Sequence, residues 1–150
     1  MAFDRLIKAV DHWAAQTGRS DLFAQIGPSN FEPRHMEWTK ELRPAEFLKR
    51  MMDATAIVAH AGMGTILNAL ELGKPLLVMP RRGDLRETRN DHQIATAKRF
   101  EEQGRLAVAY DESALNERLD HLTLLKPSKP IDHRASPELL ERLRNFVDSF

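Results

Sequence analysis

The chain has 150 residues, and its 22 Lys and Arg are balanced by 22 Asp and Glu. It is long enough for one domain with a real core, but it carries no net charge that would draw it to nucleic acid or to an acidic membrane surface. It has no cysteine, which excludes disulfides and thiolate chemistry and points to a reducing cytoplasm. No apolar run approaches the ~20 residues of a membrane span, and the start, Met1-Ala2-Phe3-Asp4-Arg5, has no apolar signal-peptide region.

In chain order, Phe3, Leu6, Ile7, Val10, Trp13 and Ala14 form a helical stripe over residues 3–16 that Gly18 ends. Residues 21–27 (DLFAQIG) read as a short buried strand, 28–33 as a loop, and 35–42 as a second, weakly alternating strand. Pro44 opens a helix whose inner face is Phe47, Leu48, Met51 and Met52. Residues 57–59 are a strand, 65–72 a helix stopped by Gly73, and 75–79 (PLLVM) another strand. A charged loop (80–88, PRRGDLRET) leads to a helix over 90–103 closed by Gly104, then a strand (106–110) and a helix (112–122). Lys126 to Pro130 (KPSKP) is a break, so the domain is expected over 1–124, a linker over 125–135 and an amphipathic helix over 136–150, capped by Ser136-Pro137. Strand and helix alternate throughout, which builds a parallel sheet with helices on both faces and a ligand rim at the carboxyl ends of its strands.

The chemistry concentrates in residues 56–65, AIVAHAGMGT. An apolar strand ends in His60, turns through Gly62 and Gly64, and enters a helix at Thr65. The first amides of such a helix have no partner within it, and the helix dipole makes them an anion site. His60 and Thr65 add side-chain donors, so the segment reads as a site for a nucleotide sugar or another phosphate ester. Taken alone, His60 would more often be a structural histidine, and Thr65 a simple cap; the glycines between them favour phosphate contact. Arg81, Arg82, Arg86 and Arg89 could clamp a phosphate, but Asp84 and Glu87 interleave with them, and such a run is usually a solvated face. Asn68 is equally readable as a solvated helix residue, and His92 and Gln93 as helix-start residues beside Asn90 and Asp91.

The block HAGMGTILNALELGKPLLVMP followed by RNDHQ resembles the nucleotide-binding half of the family 28 GT-B glycosyltransferases. Within that family it looks closest to the small single-domain members. These include the catalytic subunit of the dolichol-linked GlcNAc transferase and bacterial subunits of exopolysaccharide and capsule synthesis. The resemblance runs over about residues 3–122. It implies a Rossmann-like doubly wound parallel sheet, the GT-B C-terminal half, here lacking its first strand and the glycine turn that follows it, which would leave unpaired sheet edges. It also implies that His60, Gly62, Met63, Gly64 and Thr65 hold the diphosphate of a UDP-sugar, and that His92 and Gln93 contact the donor sugar. Leu42 and Arg43 would meet the uracil, with Gln25 and Gly27 bordering the pocket. The ribose position falls on Asn68, where the family has a carboxylate; Glu71 lies nearby on the helix but off the motif.

By the same resemblance, the chain is the donor-binding subunit of a two-component inverting UDP-sugar hexosyltransferase of polysaccharide biosynthesis. A membrane-anchored partner would bind a lipid-diphosphate-linked sugar acceptor, keeping the chain cytoplasmic and peripheral at the inner membrane face. No general base is identifiable. No metal is expected, because there is no DxD or His/Asp cluster at ligand spacing, and no cofactor or nucleic acid is implied. A non-catalytic nucleotide-sugar or partner-binding module is the alternative. A UDP-sugar epimerase ranks third, since the chain is too short for the second full domain such enzymes need.

Overall fold

A computed structural model describes residues 1–127. The linker expected over 125–135 lies mostly, and the helix over 136–150 entirely, outside the described residues.

Helix α1 spans Asp4–Thr17, buries Ile7, Trp13 and Ala14, and ends at Gly18, whose φ of 68° is left-handed backbone that glycine adopts at little cost. Strands β1 (Phe23–Gln25) and β2 (Glu37–Thr39) pair in parallel, with Phe23 opposite Glu37. The loop between them is pinned to α1 by Asp11, a buried carboxylate that accepts hydrogen bonds from the backbone N–H groups of Arg34 (2.9 Å) and His35 (2.8 Å).

Helix α2 (Pro44–Asp53) leads to β3 (Ile57–His60), α3 (Met63–Glu71) and β4 (Leu76–Met79). Then follow α4 (His92–Glu102), β5 (Ala107–Val108), α5 (Glu112–Asp120) and a 3-10 turn (Leu122–Leu124).

The fold class is the expected one, α/β with parallel strands, but the sheet is in two parts: β1-β2, and β3-β4-β5 with β4 in the centre. All four residues of β4 are buried, which is why PLLVM is a continuous apolar run. Its side chains alternate between two cores. Leu76 and Val78 join Met51 of α2, Ile66, Ala69 and Leu70 of α3, and Ala97 of α4. Leu77 and Met79 join Phe3 and Trp13 at α1, and Leu115 and Leu119 of α5. Helices therefore cover both faces of this half-sheet.

Three expectations need trimming. The strands over 21–27, 35–42 and 106–110 are only two or three residues long. Leu48 and Met52 are not on the inner face of α2: they are 42% and 55% exposed, and the buried stripe is the narrower Phe47–Met51 pair, one turn apart. Thr65 does not cap α3 through its side chain.

Between β1 and β3, among the described residues, no strand ladder joins the two sheets. Peptide groups of a parallel strand point alternately left and right. Since Ile26 N–H bonds Thr39 and Ile57 N–H bonds Pro75, those of Phe23, Gln25 and Val58 turn away from their partner strands and toward the gap. A cavity of about 430 Å³ fills that gap, with Phe23, Ala24, Ile57 and Val58 on its walls and Met1 and Phe3 at the head of α1 beside them.

Candidate functional site

The glycine turn forms where the sequence puts it. Gly62 is the residue before α3, with an extended backbone (φ −88°, ψ 131°), and its N–H is already bonded to the carbonyl of His60 (2.8 Å). The helix ladder begins only at Ile66, which bonds Gly62. The N–H groups of Met63, Gly64 and Thr65 thus have no hydrogen-bond partner among the described residues, and no side chain caps the helix end. A helix whose first turn is left open this way presents partial positive charge and directed donors to whatever lies beyond it.

His60, at the end of β3, folds its imidazole back over Gly62. A Cβ on Gly62 would lie 2.2 Å from Cε1 and 2.7 Å from Nδ1 of that ring, so the close approach is open only to glycine. The Nδ1 atom is buried and has no hydrogen-bond partner. Burial, followed by the positive charge of Arg81, holds the imidazole below its ordinary pKa of 6.5, while a hydrogen bond to Gln93 opposes that shift. A histidine whose folded pKa is depressed contributes stability that is fully present above its unfolded pKa and is lost as the pH falls through the lower folded value. Between about pH 7.5 and pH 5.5 the wild-type protein is therefore expected to lose more stability toward urea than His60→Asn does. Equal losses in the two proteins would remove His60 as a source of that pH dependence.

The cavity brings together some of the residues singled out in the sequence. Gln25, Gly27, Leu42, His60 and Thr65 all line it, contributed by β1 and the turn after it, the segment before α2, β3 and α3. Gly27 sits at φ 58°, a turn conformation that suits glycine. Gly62, Met63 and Gly64 frame the adjoining helix start. Asn68 lies one turn after Thr65 on α3 and is partly exposed. Arg43 is exposed at the start of α2, its N–H bonded to Glu46 (3.3 Å). His92 is exposed at the start of α4 and its ring contacts the Asn90 side chain. Gln93 is buried, at 7% exposure: its Oε1 accepts from the Arg81 N–H (3.2 Å) and the side chain reaches His60. In this structure Gln93 acts as a bracket between the β3 and β4 ends. Among the described residues no group of three or more His, Cys, Asp or Glu is arranged to hold a metal ion.

The charged loop after β4 departs from the solvated face expected of it. Arg82 and Asp84 do pair in solvent at 2.7 Å. Glu87, however, is only 11% exposed, and its carboxylate accepts from Nε (2.7 Å) and Nη2 (2.9 Å) of Arg5 and from the Arg82 N–H (3.0 Å). Arg5 also donates to the carbonyl of Pro80 (3.2 Å), so α1 fixes the loop to the carboxyl end of β4. Arg81 turns inward to the cavity. The sequence held no signal for this arrangement, because Arg5 and Glu87 lie 82 positions apart.

Comparison with known proteins adds independent information. The family model described as glycosyltransferase family 28 C-terminal domain matches residues 1–142. The UDP-N-acetylglucosamine transferase subunit ALG13 of Eremothecium gossypii is 37% identical over 91 residues, covering 59% of this chain and 43% of that protein. The mouse protein of the same name is 32% identical over 94 residues, covering 59% of this chain and 8% of that protein. The Candida glabrata one is 29% identical over 98 residues, covering 62% and 45% respectively. The matched region thus spans less than half of each relative. Among solved structures, the glycosyltransferase of kitacinnamycin superposes with a TM-score of 0.58 at 24% identity, over 93% of this chain and 33% of that one. The calicheamicin glycosyltransferase CalG4 does so with 0.51 at 18%, over 91% and 34%. Both show the GT-B glycosyltransferase fold, of which this chain matches about a third.

Proposed function

The chain belongs to the glycosyltransferase family 28 C-terminal domain, and from that premise we propose that it is the donor-binding, catalytic subunit of a two-component inverting UDP-sugar transferase. The names of its relatives suggest N-acetylglucosamine as the sugar moved, and a second subunit as the partner. By the resemblance, that partner is membrane-anchored and presents a lipid-diphosphate-linked sugar, which holds this chain at the cytoplasmic face.

The observation that carries this reading is the open first turn of α3 beside His60. In an inverting transfer the acceptor hydroxyl attacks the anomeric carbon and the nucleoside diphosphate leaves with the bonding electrons. Charge grows on the leaving phosphate oxygens. Preorganised amides of Met63, Gly64 and Thr65, with the His60 imidazole beside them, would stabilise that charge without having to reorganise as it forms. A base must also take the acceptor proton, and among the described residues none suggests itself.

Asn68 favours a second reading, a module that binds nucleotide sugar without turning it over. An amide at the ribose position gives hydrogen bonds without the charge assistance of a carboxylate.

The test is a calorimetric titration with UDP. Wild-type protein is expected to bind, and His60→Ala to bind about tenfold or more weakly, the usual effect of one hydrogen bond to a charged group. Transfer from UDP-N-acetylglucosamine to a lipid-linked acceptor, appearing only on co-expression with a membrane subunit, would separate enzyme from module. UDP binding that is indifferent to His60 would count against the site.

A further inference from the structure

Arg81 is the unusual cation of this molecule. It follows β4 directly and lines the cavity with His60 and Thr65. Its guanidinium lies over the Phe3 ring, 5.2 Å from the centroid, and Nη1 makes one long hydrogen bond to the carbonyl of Glu87 (3.4 Å). Its Nε atom is buried and has no partner. The nearest carboxylate, Glu87, already receives Arg5 and the Arg82 N–H, and among the described residues Arg81 is in no ion pair.

Those facts make a specific demand. A partly desolvated guanidinium without a counter-charge is costly, and its planar fork matches the oxygens of a phosphate. A second buried polar atom without a partner, Nδ1 of His60, lines the same cavity, and Arg81 is near enough for its charge to act on that ring. The three free amides of α3 adjoin them. The Glu87 carboxylate acts on Arg81 only through space and is already bonded to Arg5 and the Arg82 N–H, so an anion that bonds the guanidinium directly is what this corner can still take.

We propose that Arg81 is a diphosphate-clamping residue: its guanidinium, together with His60 and the α3 amides, grips the diphosphate of a nucleoside-diphosphate ligand. Arg5 and Glu87 are positioning residues that hold the loop so that Arg81 faces the cavity. The proposal rests on the functional reading above but adds a ligand-binding side chain to it, and the two can fail separately.

The experiment titrates the folded protein with UDP, uridine and inorganic pyrophosphate, for wild type, His60→Ala and Arg81→Gln. Arg81→Gln is expected to weaken UDP and pyrophosphate by about 10- to 100-fold, the usual contribution of hydrogen bonds to charged groups, and to leave uridine unchanged. A second measurement needs no variant. Mass spectrometry of wild-type protein treated with phenylglyoxal is expected to show Arg81 protected by UDP and by pyrophosphate but not by uridine. Should Arg81→Gln fail to fold, this protection alone decides.

Wild-type UDP affinity in Arg81→Gln, with loss in His60→Ala, overturns the clamp and leaves the functional reading intact. Equal weakening of uridine and UDP also overturns it, as does unprotected Arg81. Pyrophosphate binding that depends on Arg81, without any UDP binding, keeps the clamp and removes the nucleotide-sugar reading. Absence of binding by both ligands removes both.

Discussion

Alanine at Gly62 is expected to weaken UDP by about tenfold or more and to destabilise the fold by about 1–3 kcal/mol, while alanine at Gly64 leaves stability unchanged or slightly raised. The reason is geometric rather than conformational. Gly62 has an ordinary extended φ of −88°, which alanine adopts freely. The added methyl would instead sit 2.2 Å from Cε1 of His60, far inside contact distance, and the three atoms nearest to it all belong to that ring. The imidazole must swing away, and in doing so it leaves Gln93 and the donors of α3 behind. A methyl at Gly64, two residues on, meets nothing within 4 Å, and alanine is the better helix former there. Urea denaturation and UDP titration of the two variants read the contrast directly. If both variants behave alike, the packing of His60 over Gly62 is not what holds the site together.

Much of the organisation was visible in the sequence, and the reasons differ by element. The strand PLLVM was legible because a parallel strand buried on both faces must be apolar throughout. The helix ends at Gly18, Gly73 and Gly104 were legible because each glycine takes a left-handed φ that stops a helix. The width of a buried stripe was not. Phe47, Leu48, Met51 and Met52 share a helical spacing, but only the packing of α3 against α2 decides that Phe47 and Met51 go in. The lengths of β1, β2 and β5 were not legible either, since the ladder covers only two or three residues of each apolar pattern.

The site divides the same way. Helix-start geometry is local, so the open amides after Gly62 could be anticipated from ten consecutive residues. The burial of Arg81, Glu87 and Gln93 is not local. It depends on Arg5 in the first helix meeting a loop 82 positions away, and on the ends of β3 and β4 lying side by side. Asp11 makes the same point: an acidic residue within a helical stripe reads as solvated until the chain returns with the N–H groups of Arg34 and His35. Charge runs read from sequence as solvated faces become structural when a distant partner closes on them.

The largest expected loss of stability falls on Leu77. Its side chain is fully buried, on the central strand, in the core formed with Phe3, Trp13, Met79, Leu115 and Leu119. Leu77→Ala removes apolar contacts and leaves a cavity that strands paired on both sides cannot close by moving, so about 2–5 kcal/mol is expected. Leu48→Ala, on an exposed face of α2, is expected to stay within about 0.5 kcal/mol. The consequence reaches beyond stability. The core around Leu77 is what seats α1 on the sheet, and α1 carries Arg5, whose contact with Glu87 orders the loop bearing Arg81. For the same loss of stability, loosening that face should therefore weaken pyrophosphate binding more than a change on the opposite face, such as Val78→Ala, where α2, α3 and α4 pack instead. Denaturant midpoints and pyrophosphate titrations of the two variants make the comparison. Equal effects on binding would mean that α1 does not transmit its packing to the loop after β4.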